Sequence, residues 1–145
     1  MPPSLLGSYV LVLTLASPTA ITVGSLGSVR FPKGYYAYVG SALGPGGLAA
    51  RLGRHLAPVA RQHWHIDALR SRARPVAVWS AVGRERRECA WAQALSALPG
   101  VLTPAPGFGS ADCRCSTHLF HFDSPPDPAA INRTCGDAVV CEATT

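Results

Sequence analysis

Arg51 and His55 stand four positions apart in "GPGGLAARLGRHL", the spacing that makes two side chains neighbours on one helix face. A guanidinium presents a planar fork that matches phosphate oxygens. Glycines just before a helix let an anion approach free backbone N–H groups. The stretch is not a P-loop, because no Gly-Lys-Ser/Thr follows, and its glycines do not match the dinucleotide fingerprint. Arg54 lies further round the same helix. The bland alternative is a solvated polar face.

Glu88 is the second residue of interest. In a helix read over 84–98 it falls within the apolar arc of Trp91, Ala92, Leu95 and Leu98. An unpaired carboxylate there carries a desolvation penalty. It must either pair with an arginine or be held inward for a hard metal ion. Tyr9 and Tyr38 sit in strand-like runs, where a tyrosine usually packs its ring and leaves its hydroxyl at the rim. In "HWHID", His63 and Asp67 share a face and His65 points elsewhere, while "ADCRCSTH" brings Asp112, Cys113, Cys115 and His118 close together in sequence. Zinc would suit Cys113, Cys115, His118 and a histidine of the first cluster. The spacing is not that of a ribbon or finger, so zinc is not expected and these residues are read as a second shell around a site.

The elements that must position these groups follow from pattern. "SYVLVLTL" (8–15) reads as a buried strand, and "AITVG" and "SVRFP" as a short hairpin. "GYYAYVG" (34–40) is a further strand. A helix runs from Gly47 to Leu56 with Leu48, Leu52 and Leu56 as its buried stripe, stopped by Pro58. A second helix is expected over about 61–72, a strand over 75–82 and a last strand at the end of "CSTHLFHF". The expected fold is α+β: a small, mainly antiparallel sheet flanked by about three helices, with an extra N-terminal hairpin. Residues 5–122 would form the domain. Residues 123–145 lack periodicity and read as a flexible C-terminal tail.

With 145 residues there is room for one modest core. The formal charge is +5, and Lys33 is the sole lysine among thirteen basic residues. An arginine-dominated excess favours a polyanionic partner, although codon bias alone would produce the same composition. The five cysteines form no even framework, which fits a reduced, cytoplasmic protein. The apolar N-terminus reads better as a strand than as a signal peptide, and no stretch has membrane-spanning length.

Taken in order, these residues resemble the GIY-YIG nuclease superfamily, and within it the GIY-YIG-like branch known as a domain of unknown function. "GSYVLVL" (7–13) stands where the first motif stands, with Tyr9 as its tyrosine. "YVG" (38–40), followed by Ser41, matches the second motif, and "RLGRHL" resembles the helix carrying the family's arginine and histidine. Glu88 falls in the third helix, where the family keeps a metal-binding glutamate. "AITVGSLGSVRFP" lengthens the gap between the motifs with the extra hairpin. The resemblance implies endonuclease-like hydrolysis of nucleic-acid phosphodiesters, DNA ahead of RNA, in DNA repair or processing by analogy, with Mg²⁺ or Mn²⁺ as cofactor. It implies Glu88 as metal ligand and Arg51 as the donor facing the phosphate. Tyr9 or Tyr38 would orient or deprotonate the water, His55 would assist, and Gly40, Ser41 and Arg54 would contact phosphate. Two rival expectations are a non-catalytic nucleic-acid-binding module of the same fold and a zinc-stabilised interaction domain.

Overall fold

The computed structural model describes residues 5–59, 61–62, 64–110 and 115–144. His63, Asp112 and Cys113, named above as candidates, lie outside the described residues. Strand β1 (Gly7–Leu15) is paired antiparallel on both edges, with β4 (Gly34–Ala42) on one side and β5 (Arg74–Val82) on the other. The sheet is completed by β6 (Leu119–Phe122) beside β4 and β7 (Val140–Ala143) beside β5, so its order is β6-β4-β1-β5-β7. The expected hairpin is β2 (Thr19–Thr22) with β3 (Ser28–Phe31), a separate two-stranded sheet.

Side chains alternate across a strand, so β1 feeds two cores. Tyr9, Leu11, Leu13 and Leu15 point to one face, where Leu48 and Leu52 of α1 (Gly47–Leu56) and Ile66 and Leu69 of α2 (His65–Arg70) are fully buried. Val10 and Val12 point to the other, against Trp91 and Leu95 of α3 (Glu88–Ser96) and Ile131 of α4 (Ala129–Cys135). The sheet thus lies between two helical layers, as two half-buried helix stripes require.

Two expectations are corrected. Helix α3 begins at Glu88 rather than near 84, because Arg87 is tied to the carbonyl of Val82 (3.2 Å) and to Glu85 and Asp137, which holds the preceding residues in a bend. Glu88 therefore opens the helix instead of sitting inside its apolar arc. The segment after residue 122, aperiodic in sequence, contributes both α4 and the sheet strand β7. Its Asp137 accepts a hydrogen bond from the Trp91 indole at 2.8 Å. Among the described residues, no helix is long and apolar enough to cross a membrane.

Candidate active site and metal centre

The C-terminal end of β4 serves both faces of the sheet at one spot. Tyr38 and Gly40 face the α1 layer, and Ser41, one step on, faces the α3 layer. Tyr9 of β1 lies directly opposite Gly40, and a Cβ at that position would collide with the Tyr9 ring and hydroxyl. Glycine is required there because the tyrosine occupies the space of a side chain. Tyr38 lies diagonally, its ring centroid 6.4 Å from that of Tyr9. Gly109 closes the far wall: its φ of +69° suits glycine, and an added Cβ would come within 2.8 Å of the Tyr38 ring.

Helix α1 places Arg51 and His55 against these tyrosines. The Tyr9 hydroxyl and His55 Nε2 are 2.7 Å apart, whereas His55 meets Tyr38 only through an edge-on ring contact. Arg51 Nη1 donates to the carbonyl of Ser41 at 2.8 Å. From the other face of the sheet, the Glu88 carboxylate accepts a short hydrogen bond from the Ser41 hydroxyl and pairs with Arg86 at 3.3 Å. Arg86 is 73 % exposed and Glu88 only 16 %, so the pair closes the carboxylate from the solvent side. A cleft of about 620 Å³ is lined by Tyr9, Tyr38, Gly40, Ser41, Arg51 and Glu88, together with His65 and His118.

At the start of α1, Leu48 N–H is already bonded to the carbonyl of Leu5 (2.9 Å) and Gly47 N–H to that of Gly44 (3.1 Å). Arg54 is likewise engaged: it forks onto Asp67 at 3.0 and 3.3 Å and stacks at 3.9 Å on Trp64. Asp67 also accepts from the N–H of Trp64 at 2.9 Å, which fixes the start of α2. His65 Nδ1 accepts from the N–H of Gly109 at 2.9 Å and so braces the far wall. Trp64, 41 % exposed at the mouth of the cleft, carries Arg51 over its ring at 4.6 Å. Neither Trp64 nor Arg86 is marked in the sequence by spacing or motif.

Burial dominates the acid–base character of the site. It raises the Tyr9 hydroxyl far above its usual value, with Tyr38 adding to the rise and Arg51 opposing it. Tyr38 is pushed up to about 12, again chiefly by burial, with Arg51 pulling it down. His55 is pushed down to about 4 by burial and then by Arg51. Its Nδ1 has no acceptor among the described residues, so a second proton there would find no partner. Both tyrosines and His55 are therefore neutral near pH 7.

This has a consequence for stability. The unfolded chain takes up a proton at His55 near pH 6.5, and the folded chain resists until about pH 4. Between these limits the unfolded state binds more protons, so stability is constant above about pH 6.5 and falls as pH drops towards 4. His118 is shifted in the same direction, mainly by burial. Urea midpoints measured from pH 7.5 to 4 are expected to fall, and His55→Gln is expected to flatten the profile.

The expectation that zinc has no place here is overturned. Cys89, the second residue of α3, meets Cys115 and His118, and their ligand atoms all lie within 4.8 Å of one another. Two thiols and an imidazole form a soft donor set that suits zinc. Sequence spacing missed it because Cys89 is far from "CSTH" along the chain and reaches it only through the packing of α3. No second cysteine or histidine near Cys89 marked it as a ligand.

Fold and site together define an α+β domain with a five-stranded antiparallel sheet, a tyrosine- and arginine-lined cleft and, adjoining it through His118, a cysteine–histidine cluster. The chain belongs to DUF123, a domain of unknown function, whose family model matches residues 8–140. No curated protein and no solved structure matches it.

Proposed function

We propose that this domain is a divalent-metal-dependent endonuclease of the GIY-YIG type. The observation that supports the reading is the convergence of Tyr9, Tyr38, Arg51 and Glu88 on one cleft. Four residues that would serve phosphoryl transfer come from two strands and two helices, on opposite faces of the sheet, and share one open volume. A chain needing only a core has no reason to aim an arginine and a glutamate at the same space.

Glu88 offers a hard oxygen donor at the cleft wall, so it is the residue that would hold the metal, with Arg86 yielding its place. A divalent ion so bound supplies charge stabilisation at the phosphate and the departing oxygen. Arg51 is braced by the Ser41 carbonyl and by Tyr9 and backed by Trp64, which fixes its guanidinium at the cleft, where it would meet phosphate oxygens. Tyr9, held by His55, orients the attacking water, and Tyr38 supports it from the neighbouring strand. Because both phenols are neutral in the unliganded protein, proton removal depends on cationic neighbours lowering the Tyr9 pKa further, in the direction Arg51 already acts. The partner is a nucleic acid, with DNA favoured over RNA only through the family resemblance.

The test is cleavage of labelled single-stranded, duplex, nicked, flapped and branched nucleic acids across a panel of divalent cations, zinc included. Metal-dependent cutting by the wild type, lost in Glu88→Ala, is the expected result. Cutting that Glu88→Ala retains would sink the assignment. A second reading, a binding module without turnover, is favoured by one feature: Ser41 and Arg86 already occupy the Glu88 carboxylate. It predicts salt-sensitive binding that survives Glu88→Ala, with no cutting by any protein.

A further inference from the structure

The Cys89, Cys115 and His118 cluster is not needed by the chemistry above, yet it adjoins the cleft. Cys89 directly follows Glu88 at the start of α3, and His118 itself lines the cleft. We propose that Cys89, Cys115 and His118 bind one Zn²⁺ that clips the first turn of α3, and with it Glu88, to the segment entering β6. The assignment of Glu88 to the cleft chemistry rests on the nuclease reading; the zinc site and the clip do not.

The donor set comes first. A tetrahedral ion with bonds of about 2.0–2.3 Å sets its donors roughly 3.5 Å apart. Three ligand atoms already within 4.8 Å of one another need only a small inward movement to meet it. The hard carboxylate of Glu88 and this soft cluster select different ions, so two metals would occupy the domain without competing.

Placement is the second argument. Cys89 lies in the first turn of α3, directly after Glu88. The polar contacts described for this turn, Arg87 to the Val82 carbonyl and Asp137, and Glu88 to Ser41 and Arg86, do not join it to the segment entering β6. Further along, α3 is anchored by the buried Trp91 and Leu95, so the helix body stays docked whether or not an ion is present. The end that carries Glu88 is the part of the helix that an ion on Cys89 would reach.

His118 supplies a rigid partner for that end. Its N–H donates to the carbonyl of Phe108 at 2.8 Å, and its carbonyl accepts from Val39 of β4 at 2.9 Å. Phe108 is fully buried against Tyr38 and Phe31. The ion would therefore tie the first turn of α3 directly to the frame that holds Tyr38. Such a link fixes the distance between the Glu88 carboxylate and the tyrosines across the cleft.

The experiment uses the full chain, produced with zinc, desalted and analysed for metal. About one zinc per chain is expected on this coordination, falling to background in Cys89→Ser and Cys115→Ser and unchanged in Glu88→Gln. Cobalt substitution is expected to give thiolate charge-transfer absorption, absent in Cys115→Ser. Hydrogen exchange then reads the clip directly. Removing zinc should speed exchange of the Cys89 to Trp91 amides at least about tenfold, while the Leu95 amide is unaffected. Wild-type protein that holds no zinc after loading, or zinc content untouched by Cys115→Ser, would overturn the site. Unchanged exchange at the start of α3 would overturn the clip. All three measurements are made without substrate, so they succeed or fail independently of the nuclease reading.

Discussion

Under the proposed nuclease function, Arg51→Ala should lower the rate of phosphodiester cleavage by about 10²–10³-fold, the usual loss when one preorganised charge donor is removed. The side chain does two things that alanine cannot. It offers a fixed guanidinium to the cleft, held by the Ser41 carbonyl at 2.8 Å, and it lowers the pKa of both Tyr9 and Tyr38. Both effects act on the transition state, so the loss should appear in single-turnover rates rather than in substrate affinity alone. Arg51→Lys keeps the charge and loses the fork, so it should recover only part of the rate. The fold should survive, since Arg51 is only half-buried and its backbone partner lies at a strand end. Cutting by Arg51→Ala within twofold of the wild type would remove this residue from the mechanism.

The second large effect concerns stability. Ile131→Ala is expected to cost about 2–5 kcal/mol, the range for truncating a fully buried isoleucine. Small domains have only about 5–15 kcal/mol in total, so the urea midpoint should fall steeply. Ile131 lies in α4, fully buried in the same core layer as Trp91 and Trp79. Asp137, just beyond, bonds both the Trp91 indole and Arg87 Nε (3.2 Å). A loose tail would make the substitution neutral, and an unchanged midpoint would restore that view of the C-terminal segment.

That segment shows where sequence reasoning stops. Helix α4 is a seven-residue element and β7 a four-residue one, too short for periodicity to appear above the noise of "SPPDPAAINRTCGDAVVCEATT". What holds them is contact with α3 and β5, which no local pattern encodes. By contrast, α1 was legible to its ends: a leucine stripe at four-residue intervals and a proline two residues past its last turn are local signals. The strands of Tyr9 and Tyr38 were legible too, because a run buried on both faces needs a continuous apolar sequence.

The candidate site divides along the same line. Local sequence determined that Arg51 and His55 share a helix face, that Tyr38 and Gly40 lie in one strand, and that Tyr9 lies in the first strand. Only the tertiary structure decided their partners: His55 to Tyr9 rather than Tyr38, Arg54 to Asp67, and Glu88 to Ser41 and Arg86 across the sheet. The cluster of Cys89 with Cys115 and His118 belongs wholly to the second kind. Hydrophobic period and turn chemistry act over a few residues and are written in the chain. Contacts between distant elements depend on how two core layers pack against one sheet, and that packing exists only once the whole chain has folded.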